Sequence, residues 1–294
     1  MKYVKTILDI KSYCLYFWTL SSIIINVPNN ITNLIRRKMM LYDEITEVVK
    51  QAGAIIRNAH DQADAVFQKE GDANFVTKYD KKVQSFLIEH FRKLIPDVNF
   101  LAEEDGIQQE LGEGYCFIID PIDGTTNFIY DYHHSCISVG LALKGKMQYG
   151  VVYNPYTEEL YTAVKGEGAK LNGREIHSSK KGLAENITAF GCAKYNSDDT
   201  DLIFEYAKKL YLNSLAIRCG GSSALDICRV ASGSNGLYVE LKLQPWDYAA
   251  ASLILVEAGG FISTVDGKMI TLDRPCSILA AGRKCWKEAV ELFQ

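Results

Sequence analysis

From Leu41 onward the apolar residues Ile45, Val48, Val49, Ala52, Ile55, Ile56 and Ala59 recur three and four positions apart, the spacing of one helix face. A second stripe, Val83, Phe86, Leu87, His90, Phe91, Leu94 and Ile95, ends at Pro96, which cannot continue a helix. Short apolar runs between turn residues predict strands at 99–102, 115–119, 135–143 and 149–153, with Lys144-Gly145-Lys146 as a hairpin turn. After about residue 184 strands and helices alternate. Helices are expected at 201–210, 222–231, 248–257 and 284–293, and Gly259-Gly260 would stop the third of them. No internal repeat is visible. The pattern predicts a mixed α/β chain of two packed halves, residues 41–180 and 181–294.

The first 38 residues depart from this pattern. They carry six Lys or Arg against Asp9 alone, a net +5, which leaves −9 for the rest of the chain. Their apolar stretch, residues 13–25, is interrupted by Thr19, Ser21 and Ser22. It falls short of the ~20 apolar residues that cross a bilayer. Asn26-Val27-Pro28-Asn29-Asn30 offers no small-x-small cleavage site. A leader outside the fold is expected, with Met39 or Met40 as the effective start; a weak membrane anchor is the alternative.

Composition narrows the class. A chain of 294 residues has room for one large domain or two modest ones, and 48% apolar with 23% charged residues suits a globular protein. Thirty-two basic against 36 acidic residues leave −4, so a phosphate-tracking basic surface is not expected and nucleic acid is not an anticipated partner. None of the eight cysteines forms a C-x-x-C pair, and most lie in apolar runs. That argues against structural zinc and against a disulfide scaffold. Reduced, core-packed thiols in a cytoplasmic protein are the expectation.

The chemistry concentrates in Ile118-Ile119-Asp120-Pro121-Ile122-Asp123-Gly124-Thr125-Thr126. Pro121 suits the second position of a tight turn starting at Asp120, which would bring Asp120 and Asp123 within about 7 Å. Two carboxylates 4 Å apart repel by about 4 kcal/mol even at an effective dielectric of 20, so a cation is expected between them. Oxygen-only ligands favour Mg²⁺, Mn²⁺ or Ca²⁺. Gly124 and the following amides could start a helix aimed at an anion. A turn that merely caps a short helix is the structural alternative. Glu103-Glu104-Asp105 closes a predicted strand, and there Glu104 and Asp105 read as solvated. Asp247, ahead of Tyr248-Ala249-Ala250-Ala251, would serve as a helix N-cap in any case.

Taken together, Glu103-Glu104, Asp120-Pro-Ile-Asp-Gly-Thr-Thr and Trp246-Asp247 with Ala249-Ala250 resemble the inositol monophosphatase family of metal-dependent, lithium-sensitive phosphatases. Lys69, Val76-Thr77-x-x-Asp80, Gly166-x-Gly168-Ala169-x-x-Asn172-Gly173 and Gly221-Ser222-Ser223-Ala224 match in the same order, so the resemblance spans residues 41–294. It implies a layered αβαβα sandwich that dimerises. It also implies two or three Mg²⁺ ions per site. One would be held by Glu103, Asp120 and the carbonyl of Ile122, a second by Asp120, Asp123 and Asp247, and a weaker third would face Glu103. Thr125 and Asp80 would orient the water nucleophile, and the amides of Gly124 and Thr125 would bind phosphate oxygens.

For the substrate, a small phosphorylated polyol, the resemblance implies contacts from Asp123, the backbone near Ser223, and Glu240. For Glu240 an exposed strand-end acid is an equal alternative. Thr126-Asn127-Phe128 is closer to inositol-type members than to nucleoside bisphosphate relatives, where Lys-Glu-Phe is common. Tyr132-His133-His134 departs from the family's aromatic-Pro-aromatic stretch, and loop or interface packing is a better account of both histidines than metal ligation. The expected activity is Mg²⁺-dependent hydrolysis of myo-inositol monophosphate. Alternatives are a 3′(2′),5′-bisphosphate nucleotidase, a fructose-1,6-bisphosphatase, or a regulatory binding module that keeps the fold.

Overall fold

The structure is a computed structural model, and it describes residues 29–59, 66–68, 75–107, 110–193 and 199–293. The apolar stretch at 13–25, Lys69 and the Gly71-Asp72-Ala73-Asn74 break lie outside the described residues. The chain groups into two units, Met1–Leu41 and Tyr42–Gln294. Helix α1 (Asn29–Arg57) begins at Asn29 rather than at Leu41. Leu, Arg, Lys and Met between the two positions all favour helix, so the apolar stripe alone underestimates its length. No described helix is long and apolar enough to cross a membrane.

Two sheets organise the second unit. The larger has seven strands in chain order: β3 (Asn99–Ala102), β4 (Tyr115–Asp123), β5 (Cys136–Leu143), β6 (Lys146–Asn154), β7 (Glu159–Val164), β8 (Ala169–Leu171) and β9 (Arg174–Glu175). β3 runs parallel to β4 and the remaining pairs are antiparallel. Lys144 and Gly145 join β5 to β6 with φ of 53° and 65°, the two positive angles of a type I′ hairpin turn. A separate antiparallel pair, β1 (Val66–Gln68) and β2 (Phe75–Thr77), leads into α2 (Lys78–Leu94). The sequence pattern did not anticipate β1 and β2 or the short strands β7 to β9.

The smaller sheet has the order β11-β10-β12-β14-β13, from β10 (Ile187–Phe190), β11 (Ala216–Arg218), β12 (Leu237–Leu243), β13 (Phe261–Ser263) and β14 (Cys276–Ala281). Strand alternation then assigns the layers. On β12, Leu237 and Val239 join a core with α4 (Thr200–Asn213) and α7 (Arg283–Phe293), whereas Tyr238 joins a core with α5 (Ser223–Ala231) and α6 (Pro245–Glu257). On β6, Tyr149 stacks on Tyr42 of α1 with ring centroids 4.5 Å apart. Its neighbour Gly150 faces the other way, and a Cβ there would lie 2.7 Å from the carbonyl oxygen of Ala250 in α6. Helices α5 and α6 therefore fill the space between the sheets, giving the αβαβα sandwich.

α6 is buried along most of its length, which explains its nearly unbroken apolar sequence. It ends in a Schellman motif: Gly260 N–H donates to Leu255 O, Gly259 N–H donates to Val256 O, and Gly259 has φ 82°. It begins at Pro245, earlier than the periodicity predicts, because Pro is well tolerated at the first helical position.

Candidate active site

Strand β4 delivers the central acids. It runs through Asp120-Pro121-Ile122 to Asp123 instead of stopping at residue 119 and turning. Asp120 faces Ser138 of β5 and Asp123 faces Cys136, so β4 carries one extra residue between them. This β-bulge has a direct consequence. Residues three apart on a regular strand point to opposite faces, and the inserted residue returns Asp123 to the face of Asp120. The expected turn survives only as a local closure in which Ile122 N–H donates to Asp120 Oδ1 at 3.0 Å. Gly124 follows with φ 90°, and a Cβ there would meet Gly221 O and His134 O at 3.0 and 3.1 Å. It opens the short helix α3 (Thr125–Ile129), as the sequence predicted.

The remaining acids arrive from separate elements. Asp80 lies in the first turn of α2 and closes a capping box. Its Oδ2 accepts from Thr77 N–H at 2.8 Å and from the Thr77 hydroxyl at 2.6 Å. Its Oδ1 faces the Thr125 hydroxyl at 3.3 Å, and that hydroxyl also reaches Ile122 O at 3.1 Å. Glu103 follows β3, with its N–H donating to Ile119 O of β4. Asp247 is the third residue of α6, not its N-cap. Gln244 occupies the cap, and its N–H donates to Asp247 Oδ2 at 2.7 Å. Ser138, the strand partner of Asp120, donates to Trp246 O at 3.3 Å, which fixes the start of α6 beside the bulge.

Asp123 is the most heavily bonded of the set. Its Oδ2 accepts from the Ser222 hydroxyl at 2.6 Å and Ala224 N–H at 2.8 Å, and its Oδ1 accepts from Ser223 N–H at 3.3 Å. The Ser223 hydroxyl donates to Glu240 Oε2 at 2.9 Å, and the Tyr238 hydroxyl bonds both groups. Glu240 is 6% exposed, so the exposed strand-end reading of it fails. Glu104 also departs from expectation. It is buried, with its backbone held by reciprocal bonds to the Gln84 side chain, whereas Asp105 is exposed and pairs with Lys81 at 2.7 Å. His133 stacks on Tyr156 and pairs with Asp131, the loop packing expected of it.

Electrostatics marks these acids as one group. Burial pushes the Asp120 carboxyl well above the usual range, and the charges of Glu103, Asp123, Asp247 and Asp80 push it further. Burial is likewise the first cause for Asp247, followed by Asp123 and Glu103. Burial raises Asp80 to about 7 against the lowering effect of the Thr77 bond, and raises Asp123 to about 6 against its Ser222, Ala224 and Ser223 bonds. No Lys or Arg among the described residues pairs with any of these four aspartates. Among the described residues, no three His, Cys, Asp or Glu side chains are arranged so that they could hold a metal ion as they stand. The donors are oxygen, with Asp80, Asp120 and Asp123 buried and Asp247 and Glu103 partly so, and they repel one another, which suits hard divalent cations.

Two participants escaped the sequence reading. Tyr238 lies two residues before Glu240, hence on the same strand face, and the period of two was the available signal. Asp226 is an acid inside the apolar run of α5. It is buried, its Oδ2 has no partner, and burial followed by the charges of Asp123 and Glu240 raises it to about 7.

The layered α/β sandwich, with acids from α2, the end of β3, β4 and the start of α6 beside a short helix, sets the class of the fold. The chain belongs to the inositol monophosphatase family, whose model matches residues 39–293. It is 35% identical over 248 residues to the inositol-1-monophosphatase of Synechocystis, covering 83% of this chain and 85% of that protein. It is 33% identical over 251 residues to the Nus factor SuhB of Pseudomonas aeruginosa, covering 83% and 92%. Among solved structures, SaIMPase-II with inositol monophosphate bound superposes with a TM-score of 0.75 at 29% identity, covering 87% of this chain and 95% of that one.

Proposed function

We propose that this chain is a Mg²⁺-dependent phosphomonoester hydrolase acting on myo-inositol monophosphate. The observation that carries the reading is the cluster of Asp80, Asp120, Asp123 and Asp247, raised by burial and by one another's charge with no basic partner among the described residues. Asp120, Glu103 and the carbonyl of Ile122 would hold one ion, and Asp120, Asp123 and Asp247 a second, with Glu103 facing a weaker third. When bound, such ions lower the pKa of water and neutralise charge on the attacking and leaving oxygens.

The chain's own groups supply positioning. Asp80 Oδ2 is committed to Thr77, so Oδ1 is the free acceptor that orients the Thr125 hydroxyl. Thr125 would aim the water, and Asp80 would take up its proton through that hydroxyl. The amides of Gly124 and Thr125 would hold phosphate oxygens. Glu240, held by Tyr238 and Ser223, would accept a bond from a ring hydroxyl, as would the open lone pair of Asp123 Oδ1. A small polar substrate follows from this crowding of acceptors, and the inositol monophosphate complex of SaIMPase-II supports a phosphorylated polyol.

Phosphate release from inositol 1-phosphate, adenosine 3′,5′-bisphosphate, fructose 1,6-bisphosphate and NADP, each with and without Mg²⁺, tests the proposal. Inositol phosphate should turn over fastest and only with the cation. Faster turnover of another substrate would transfer the assignment to a nucleotidase or sugar bisphosphatase. The likeness to a Nus factor supports a second reading, a regulatory binding module that keeps the fold. Absence of turnover on the whole panel would favour it.

A further inference from the structure

Cys192 and Cys219 depart from the core-packed thiols expected of this chain. Both are exposed, whereas Cys116, Cys136, Cys228 and Cys285 are buried. They are 27 residues apart in sequence, yet their sulfurs lie 3.7 Å from each other. The topology explains the meeting. β10 and β11 are parallel neighbours with Ala189 opposite Arg218, so the chain leaves both strands at the same end of the sheet. A disulfide has an S–S length of ~2.05 Å, so closure needs a shortening of about 1.6 Å from the observed separation.

The pair stands against the wall of the candidate site. Gly191, just before Cys192, donates its N–H to Val239 O, and a Cβ there would lie 2.2 Å from Glu240 Oε2. Gly220, just after Cys219, accepts at its carbonyl from Asn127 Nδ2 at 2.9 Å. A Cβ on Gly220 would lie 2.5 Å from the Asp226 carboxylate. The two backbones beside the thiols therefore touch the residues that hold Glu240 and the start of α5.

Either sulfur can donate across this contact. A neighbouring S–H stabilises its partner as thiolate, the form that attacks a disulfide, so one member of the pair attacks and the other resolves.

We propose that Cys192 and Cys219 form a reversible dithiol–disulfide site at the rim of the active site, oxidised by low-molecular-weight disulfides. The thiolate of one cysteine attacks one sulfur of the oxidant R–S–S–R, breaking its bond, forming a mixed disulfide and releasing one thiolate. The other thiol then loses its proton to solvent and attacks the protein sulfur of the mixed disulfide, forming the protein disulfide and releasing the second thiolate. Two protein thiols lose two electrons, and the oxidant leaves as two thiols once protonated. On the reading that Glu240 and Ser223 face the substrate, closure pulls on Gly191 and Gly220 and weakens substrate binding. KM rises several-fold while kcat changes little, because Asp120 and Asp247 stand on other elements.

The test uses the full-length reduced protein with oxidised glutathione, followed by peptide mass mapping. The wild type should yield a Cys192–Cys219 linked peptide that dithiothreitol reverses. Cys219→Ser and Cys192→Ser should each trap glutathione on the remaining cysteine, with no linked peptide. Glutathione on either cysteine of the wild type without the link, or no reaction at either, overturns the proposal. In the kinetic arm KM for inositol 1-phosphate should rise in the linked form and recover on reduction, with the C192S/C219S protein unresponsive. A linked form with unchanged KM overturns the coupling to the site. The linkage is read by mass, so it stands or falls separately from the phosphatase reading.

Discussion

Gly150 separates the effect of a stiff neighbour from that of mere proximity. In Gly150→Ala the new methyl would lie 2.7 Å from Ala250 O and 3.3 Å from the Ala250 C and Cα atoms. That is about 0.6 Å inside the closest comfortable C···O approach of ~3.3 Å. The oxygen belongs to the backbone of α6, which is buried between two sheets and cannot rotate away. Overpacking of this kind costs ~1–3 kcal/mol, offset by ~0.4–1 kcal/mol from the stiffer unfolded chain. A net loss of about 1–2 kcal/mol corresponds to a Tm lower by roughly 2–8 °C for a domain of this size. Gly140→Ala makes an even closer contact, 2.5 Å, but with the flexible Met147 Cε, while Ala250 N lies at an ordinary 3.5 Å. It should cost under about 0.5 kcal/mol, since the methionine tip can swing aside. Urea unfolding and calorimetry of both variants measure this. The displaced α6 carries Asp247, so Gly150→Ala alone should also need several-fold more Mg²⁺ for half-maximal phosphate release. A Gly140→Ala protein as damaged as Gly150→Ala, or a Gly150→Ala protein of unchanged stability, would refute the reasoning.

Other expectations follow from the carboxylates. Asp120→Asn should abolish hydrolysis while the protein stays folded, checked by circular dichroism; comparable activity in both proteins would return the Asp-Pro segment to a purely structural role. In metal-free protein, Asp80 and Glu240 titrate at about 7 and Asp123 at about 6, against ~4 in an unfolded chain. Because the folded values are raised, their stabilising contribution is complete below about pH 4 and is lost as pH climbs through about 7. Tm of metal-free protein should therefore fall from pH 5 to 7.5 and saturating Mg²⁺ should flatten the fall; a rise without metal contradicts the assignment. Glu240→Gln should raise KM for inositol 1-phosphate several-fold with a smaller change in kcat, and an effect confined to kcat would remove Glu240 from the substrate wall. Lithium should inhibit at millimolar-scale concentration, which a dose series on phosphate release measures.

Periodicity located the longer helices and the central strands because each buries one continuous face. It failed where length or context decides. β7 to β9 are short, β4 continues through a proline that a bulge accommodates, and α6 starts with a proline that reads locally as a break. The acids of the candidate site were legible as residue types at strand and helix ends. The hydrogen-bonding duty of Asp123 was not, because Ser222, 99 residues away, meets it only through tertiary packing, whereas the Tyr238–Glu240 bond lies within one strand and its period of two was the signal available. The exposed cysteine pair was equally hidden, since nothing in a 27-residue separation announces that two parallel strands end side by side.

Asp80, Asp123 and Asp247 each anchor the opening turn of a helix, accepting backbone N–H groups at the beginnings of α2, α5 and α6. Three positive dipole ends thus converge on one acidic spot and temper its repulsion. These side chains carry an architectural duty separate from turnover. A descendant that abandoned phosphate chemistry would still be compelled to spell the same acids in order to start its helices, so among such proteins the motif certifies the scaffold, and only measured hydrolysis certifies the enzyme.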